Sequence, residues 1–325
     1  MKYRRLGRTN LRVSEISLGC SGFWGNKYFS EKKAAAVINA AFERGVNFFD
    51  TGHNYSSFNA EPRLGRIIKE ILGNNVRSKI IISTKAGTII PSAPVFFRKE
   101  KSTDFSAEYI EQTCIKSIKN LNCEYLDIFQ LHGINKYQIT QPLIDKLLSM
   151  KDKGFFRYLG VNTHNENVMD FVSLRPELFD MVLLDYNVLQ LDREIIINKL
   201  FDAGIGVVAG TVLAQGHLVN GKIGKIKSIA DLWYLARAVL KPTGRLLYKN
   251  SSEMKKTLSM LVEISAAQAA FVYILSNMKI SSCVFGTTNL SNLHEIISSS
   301  DLELDRKNKL KILNTFESIN EKISL

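Results

Sequence analysis

Short apolar runs alternate along the chain with longer segments in which apolar residues recur every three or four positions. The short runs are rich in Ile, Val, Phe and Leu and lack a strict polar alternation, as is typical of parallel strands buried on both faces. They predict eight strands, at residues 13–19, 46–51, 79–86, 126–132, 156–162, 181–186, 205–211 and 282–287. Eight strands that each precede a helical segment favour an α/β fold of the closed (β/α)8 TIM-barrel type over an open sheet.

The longer segments predict helices. An apolar stripe along residues 31–44 contains Ala34, Val37, Ile38, Ala41 and Phe42, and Gly45 ends that helix. Further helices are predicted at residues 60–72, 106–121, 143–153, 166–173, 194–203, 266–277 and 290–299. Residues 212–265 are too long for one connection, and the stretch WYLARAVL within them predicts extra helices after the seventh strand. Residues 305–319 predict a C-terminal helix, and because no Pro-, Gly- or Ser-rich linker divides the chain, we expect residues 1–325 to form one barrel domain.

The composition is that of a globular protein. Hydrophobic residues make up 45% of the chain and charged residues 23%, which excludes a disordered protein. No apolar run approaches the roughly 20 residues that span a bilayer, and the N-terminal segment lacks the apolar region of a secretory signal. The cysteines show no paired spacing and indicate reduced thiols; they are Cys20, Cys114, Cys123 and Cys283. We therefore expect a cytoplasmic protein with no membrane partner.

The formal net charge of +12 allows three interpretations: a solvated surface, an anionic small-molecule ligand, or a nucleic acid. Lysine and arginine residues are scattered, with no run of five or more, and no nucleic-acid-binding module accompanies them. We therefore expect no nucleic-acid partner. The basic residues between His217 and Lys249 raise the hypothesis of an anionic substrate, although solvated helix faces explain the same charges.

Side chains of complementary chemistry stand at the predicted ends of consecutive strands. Asp50 lies at the end of the second strand, and Tyr55 lies in the loop that follows it. Lys85 is near the end of the third strand, and His132 ends the fourth. Because catalytic groups in such barrels come from the carboxyl ends of different strands, we expect the four side chains to meet at one mouth.

This group suits the reduction of a carbonyl compound. A tyrosine is a weak acid, with a pKa of about 10, and a nearby ammonium group lowers that pKa by stabilising the phenolate. Asp50 would keep Lys85 charged and oriented, and His132 could donate a hydrogen bond to the carbonyl oxygen. Tyr55 would then act as the general acid while a cofactor supplies a hydride.

Several motifs resemble landmarks of the aldo-keto reductase family, in the same order and over nearly the whole chain. These motifs are MKYRRLGRTNLRVSEISLG, DTGHNY, AEPRLG, STKAG, YLDIFQLH, FRYLGVNTH, DYNVLQ and GIGVVAG. The resemblance implies an NAD(P)-dependent oxidoreductase that reduces an aldehyde or ketone to an alcohol. Its catalytic tetrad maps onto Asp50, Tyr55, Lys85 and His132.

The resemblance also implies a set of cofactor contacts. They are Gly19, Ser21, Asp50, Asn162, Thr163, Tyr186, Gly210, Thr211, Leu213, Gly286, Thr287, Thr288 and Asn292. Three positions depart from the family pattern: Leu183 stands for a glutamine, Gly210 for an aromatic platform, and Thr288 for the arginine that holds a 2′-phosphate. Tyr186 is the ring expected to replace the platform. NADP(H) remains the expected cofactor ahead of NAD(H), because the family favours it.

Phe23, Trp24 and His53 are expected to line the substrate pocket, from the loops after the first two strands. A metal site built from Cys20, His53 and His132 is not expected, because no close His/Cys spacing supports it. Two other functions stay open: a Schiff-base lyase that uses Lys85, and a non-catalytic barrel that senses a cofactor or binds a partner. The resemblance implies a monomer or a loose homo-oligomer that acts on a small carbonyl compound.

Overall fold

Eight parallel strands form a closed barrel, as the sequence predicts. The computed structural model describes residues 1–89, 102–219, 242–261 and 263–324. The barrel strands are β1 (Ile16–Gly19), β2 (Phe48–Asp50), β3 (Ile81–Ala86), β4 (Leu126–His132), β5 (Phe156–Asn162), β6 (Met181–Asp185), β7 (Gly206–Gly210) and β8 (Ile280–Phe285). Each strand pairs with its neighbours in chain order, and β8 pairs with β1 to close the barrel.

Helices surround the barrel. They are α1 (Glu31–Glu43), α2 (Ala60–Ile67), α3 (Ala107–Asn120), α4 (Gln141–Asp152), α5 (Glu166–Ser173), α6 (Glu194–Asp202), α7 (Pro242–Ser259), α8 (Ala266–Leu275), α9 (Leu290–Ser298) and α10 (Arg306–Ser324). Helix α7 is an extra helix between β7 and β8, and α10 is the predicted C-terminal helix. The WYLARAVL stretch and the basic residues from 220 to 241 lie outside the described residues.

The first predicted strand, 13–19, is divided in the structure. Residues Arg12–Ser14 pair antiparallel with Tyr3–Arg5 in an N-terminal hairpin, and only Ile16–Gly19 enters the barrel. Glu15 lies between the two strands, and its carboxylate accepts a hydrogen bond of 2.8 Å from Arg4 Nε. The apolar run alone does not reveal this change of partner.

The hairpin closes the amino-terminal end of the barrel. An inner apolar cluster fills the barrel from that end: Leu6, Leu11, Val13, Phe48, Ile81, Ile128, Met181, Leu183 and Val208. A larger apolar layer lies between the strands and the helices. The barrel is thus a packed core and not a pore, and catalytic sites in such barrels lie at the carboxyl ends of the strands.

Two further observations bear on the environment of the chain. The four cysteines are all free thiols, and three of them are buried. Among the described helices, none is long and apolar enough to cross a membrane.

Candidate active site

The structure brings the predicted tetrad together at the carboxyl ends of β2, β3 and β4. The Lys85 ammonium forms an ion pair with Asp50 Oδ2 and donates a second hydrogen bond of 2.7 Å to the Thr51 carbonyl. The same nitrogen lies 5.0 Å from the centroid of the Tyr55 ring. The rings of Tyr55 and His132 meet edge to face, with 5.7 Å between their centroids. Tyr55 thus lies between a cation and an imidazole.

The environment of Lys85 keeps it protonated. Burial lowers the pKa of the Lys85 ammonium, but the charge of Asp50 and the interactions with Tyr55 outweigh burial, so the pKa is raised above 10.5. A Schiff-base nucleophile needs a neutral amine near neutral pH. The raised pKa therefore argues against the lyase hypothesis.

The loop that carries Tyr55 has an unusual backbone. Residues 56–58 all adopt positive φ angles between 54° and 66°, a left-handed conformation that is costly for residues with side chains. Surrounding hydrogen bonds hold the loop in place. The Asn54 amide donates to the Thr88 carbonyl at 2.8 Å, and the Thr88 hydroxyl donates to the His132 carbonyl at 2.9 Å. These contacts tie the Tyr55 loop to the strand end that carries His132.

His53, a predicted substrate contact, belongs to a buried network instead of an open pocket wall. It is only 6% exposed, and its Nδ1 lies 3.3 Å from Glu61 Oε2. Glu61 also accepts hydrogen bonds of 2.6 Å from Thr84 and 3.1 Å from Asn120. Burial raises the pKa of the Glu61 carboxyl, but these donors and His53 outweigh burial, so the pKa is lowered. The contacts favour a structural role for His53, and Glu61 is a residue that sequence reasoning missed.

Phe23 and Trp24 follow β1, as predicted, and both are buried. Trp24 is 2% exposed, and its indole N–H donates to the Ala34 carbonyl of α1 at 3.2 Å. Phe23 is 9% exposed and packs at a tilt on Phe29. Trp24 therefore packs between the loop and α1, and Phe23 retains the larger exposed fraction of the two for a substrate.

The expected nicotinamide contacts begin at the end of β5. Asn162 is the register partner of His132, and its amide donates to the Leu183 carbonyl at 3.4 Å. Thr163 is 2% exposed, and its hydroxyl accepts a hydrogen bond from Asn165 N. Leu183 belongs to the inner apolar cluster and offers no hydrogen bond to a carboxamide.

The expected role of the Tyr186 ring is corrected by the structure. The Tyr186 side chain is 1% exposed in the outer apolar layer, and its phenol donates to Glu194 of α6 at 2.9 Å. Because successive side chains on a strand point to opposite faces, the Tyr186 ring faces the helices while the side chain of Asp185 faces the mouth. The ring is therefore not placed to stack on a cofactor as a substitute for the missing platform at Gly210.

Asp185 is a second polar residue that sequence reasoning missed. Its Oδ2 lies 3.0 Å from His164 Nδ1, at the mouth beside Gly210, its register partner. Burial raises the pKa of Asp185, but hydrogen bonds from His164 and Thr211 outweigh burial and lower the pKa. The side of the mouth formed by β5, β6 and β7 thus carries a carboxylate.

The remaining predicted cofactor contacts lie at the ends of β1, β7 and β8 and at the start of α9: Gly19, Ser21, Thr211, Leu213, Gly286, Thr287, Thr288 and Asn292. A Cβ atom at Gly286 would lie 3.2 Å from the Gly19 carbonyl oxygen, so the first and last strand ends approach closely. The Asn289 side chain accepts hydrogen bonds from the backbone N–H groups of Ser291 and Asn292. Asn289 thus caps α9.

The described residues contain no group of three or more His, Cys, Asp or Glu side chains that could hold a metal ion. Of the three residues considered from the sequence as metal ligands, His53 is hydrogen-bonded to Glu61 and His132 packs against Tyr55. Burial raises the pKa of the third member, the Cys20 thiol.

The fold and the site define the class: a (β/α)8 barrel with Asp, Tyr, Lys and His side chains gathered at its mouth. Residues 15–314 match the model of the Aldo/keto reductase family, and the chain belongs to that family. It is therefore an NAD(P)-dependent oxidoreductase, as the sequence predicts.

Curated relatives agree with this family, and a solved structure agrees with the fold. The chain is 27% identical to L-galactose dehydrogenase of Arabidopsis thaliana over 308 residues, which is 92% of this chain and 88% of the relative. It is 26% identical to L-glyceraldehyde 3-phosphate reductase of Escherichia coli K12 over 310 residues, 92% and 87% of the two chains. The fold is similar to that of the aldo-keto reductase AKR11C1 from Bacillus halodurans in its holo form, with a TM-score of 0.76 at 21% identity, over 97% of this chain and 96% of that one.

Proposed function

We propose that the protein reduces an aldehyde or ketone to an alcohol with NAD(P)H, and that Tyr55 is the general acid. The observation that carries the proposal is the position of Tyr55, whose ring lies 5.0 Å from the Lys85 ammonium and 5.7 Å from the His132 ring. A phenol in this position has a cation to stabilise its conjugate base and an imidazole to share the substrate oxygen.

The proton transfer follows from these contacts. A bound NAD(P)H would supply the hydride to the carbonyl carbon. Tyr55 gives its phenolic proton to the carbonyl oxygen, and His132 donates a hydrogen bond to the same oxygen. The Lys85 ammonium stabilises the phenolate that remains, and Asp50 holds that ammonium in place through the buried ion pair.

The end of β5 supports the proposal of a nicotinamide on one side of the tetrad. Asn162 is the register partner of His132, and its amide has the donor and acceptor that a carboxamide requires. Gly210, on the far side of β6, leaves the end of β7 without a side chain. We propose NADP(H) as the preferred cofactor over NAD(H), held at its other end by the loop of Thr287 and Thr288 before α9.

We propose a sugar or another anionic carbonyl compound as the substrate. Two relatives carry the names L-galactose dehydrogenase and L-glyceraldehyde 3-phosphate reductase, which refer to a sugar and to a phosphorylated aldehyde. The formal net charge of +12 agrees with an anionic ligand.

Titration of the purified protein with NADPH and with NADH, followed by intrinsic fluorescence, tests this proposal first. We expect binding in the micromolar range, tighter for NADPH. A panel of neutral and phosphorylated aldehydes is then supplied with the cofactor that binds, and oxidation of that cofactor is measured. Absence of binding for both dinucleotides, or absence of turnover over the panel, would contradict the proposal; a stable complex with another protein would then favour the partner-binding function.

A further inference from the structure

A second polar layer lies directly beneath the tetrad. Residues two apart on a strand point to the same face, so Ser83 shares the face of Lys85 and Gln130 shares that of His132. Gln130 Nε2 donates a hydrogen bond of 2.5 Å to Ser83 Oγ, which joins β3 and β4 inside the barrel. One layer lower, the inward side chains Ile81 and Ile128 are apolar.

Gln130 donates a hydrogen bond to the Asp50 carboxylate oxygen that is not paired with Lys85. Asp50 Oδ2 pairs with the Lys85 ammonium, and Asp50 Oδ1 accepts a hydrogen bond of 2.9 Å from Gln130 Nε2. With one oxygen bonded to each partner, the carboxylate has a fixed rotation. The orientation of the Gln130 amide follows, because its carbonyl oxygen would repel the carboxylate if the two groups of the amide were exchanged.

Burial of the Gln130 amide inside the barrel is energetically unfavourable. Gln130 is fully buried, and its Oε1 finds no hydrogen-bond partner among the described residues. An apolar side chain such as that of Ile128 would avoid an unsatisfied carbonyl. Gly160 of β5 leaves room for the Gln130 side chain, because a Cβ atom at position 160 would lie only 3.1 Å from Gln130 Cγ. A buried group that violates a packing rule in this way is characteristic of a functional site.

We propose that Gln130 is a positioning residue of the reductase, acting through Asp50 and Lys85 on Tyr55. The inference rests on the proposed function of the tetrad. Without the Gln130 donor, the Asp50 carboxylate can rotate and draw the ammonium away from the tyrosine ring. The phenolate of Tyr55 then loses its nearest cation, and Tyr55 becomes a weaker acid.

Two substitutions separate this role from simple packing. Gln130→Met keeps the length of an unbranched side chain but removes the donor, and we expect kcat to fall about tenfold with little change in KM. Gln130→Glu can donate to Asp50 only while its carboxyl is protonated, a form that the neighbouring carboxylate favours. Its kcat is expected to rise towards the wild-type value as the pH is lowered, whereas Gln130→Met shows no such rescue. Ile128→Val, one layer lower on the same strand, is the packing control and should retain the wild-type pH profile.

A measurement without cofactor keeps this inference separate from the proposed function. The ionisation of Tyr55 is followed by ultraviolet absorbance as the difference between each protein and its Tyr55→Phe counterpart. We expect the midpoint to move about one pH unit upward in Gln130→Met. A displaced midpoint in a protein that reduces no carbonyl would refute the proposed function and leave the positioning role intact.

An unchanged Tyr55 midpoint would refute the positioning role of Gln130. If wild-type and Gln130→Met proteins share the Tyr55 midpoint and the pH profile of kcat, the positioning role is wrong even in an active reductase. Thermal unfolding of each variant identifies any loss of kcat that only follows the folded fraction. A loss of that kind, without a displaced midpoint, would assign Gln130 to packing alone.

Discussion

The Lys85 ammonium and the Asp50 carboxylate form an ion pair inside the barrel, and their side chains are only 1% and 6% exposed. Both charges lie out of water, so each depends on the other for stabilisation. The pair also places the ammonium beside the ring of Tyr55. It therefore connects the stability of the barrel with the acidity of the tyrosine.

Removing one partner of this pair should be more damaging than removing both. Asp50→Asn and Lys85→Met are each expected to lower the free energy of unfolding by about 3–5 kcal/mol, because each leaves an unpaired buried charge. The double variant should lose less than either single variant. Urea unfolding of the four proteins measures this coupling, and additive losses would contradict it.

The ion pair of Lys85 and Asp50 also predicts how the stability of the protein depends on pH. The pKa of Lys85 is raised above its ordinary value of 10.5 in the folded protein. Its contribution to stability is therefore fully present below pH 10.5 and is lost as the pH rises through the folded pKa. Unfolding free energies of wild-type and Lys85→Met proteins should converge only in that alkaline range; convergence near neutral pH would contradict the assignment.

The stabilising contribution of Glu61 should be lost at low pH, whereas that of Lys85 is lost at high pH. Its folded pKa is lowered below the ordinary value of 4.5, so its contribution is present above pH 4.5 and is lost as the pH falls through the folded pKa. Glu61→Gln is expected to lower the free energy of unfolding by about 1–3 kcal/mol at neutral pH. On acidification, the stability of this variant should fall less steeply than that of the wild type.

Glu111 offers the matched control for this substitution. It pairs with Lys146 on the surface of α3, so Glu111→Gln should cost about 1 kcal/mol or less. Equal losses for the two substitutions would show that the Glu61 network contributes no more than a surface pair.

Cofactor preference can be tested at the position where an arginine is missing. Thr288→Arg is expected to raise the affinity for NADPH about tenfold, because a guanidinium and a phosphate form charge-assisted hydrogen bonds. The affinity for NADH, which lacks the 2′-phosphate, should stay unchanged. Fluorescence titration with both dinucleotides measures the difference, and equal changes for the two would place residue 288 away from the phosphate.

The sequence predicts the fold, and the meeting of the four side chains at the mouth, for a physical reason. Strands buried on both faces appear as uninterrupted apolar runs, and the proposed catalytic side chains lie where those runs end. Partners that are distant along the chain leave no such mark. Gln130 contacts Asp50 across 80 residues, and Asn120 contacts Glu61 across 59.

The face on which a side chain lies is also hard to predict from an apolar run. A shift of one residue moves every side chain of a strand to the opposite face. The run 181–186 therefore predicts β6 correctly but does not decide whether Asp185 or Tyr186 faces the mouth. The packing of β6 decides this, since Met181 and Leu183 belong to the inner apolar cluster and Asp185 follows on the same face.

Turnover by Tyr55→Phe tests the central claim most directly. The wild-type protein, Tyr55→Phe and the control Tyr137→Phe, whose residue is 79% exposed, are compared with the same cofactor and carbonyl substrate. We expect kcat of Tyr55→Phe to fall roughly 10²–10⁴-fold while its cofactor Kd stays unchanged, because the phenolic proton is lost and the cofactor contacts are kept. Tyr137→Phe should match the wild type. A Tyr55→Phe protein that turns over at the wild-type rate would contradict the assignment of Tyr55 as the general acid.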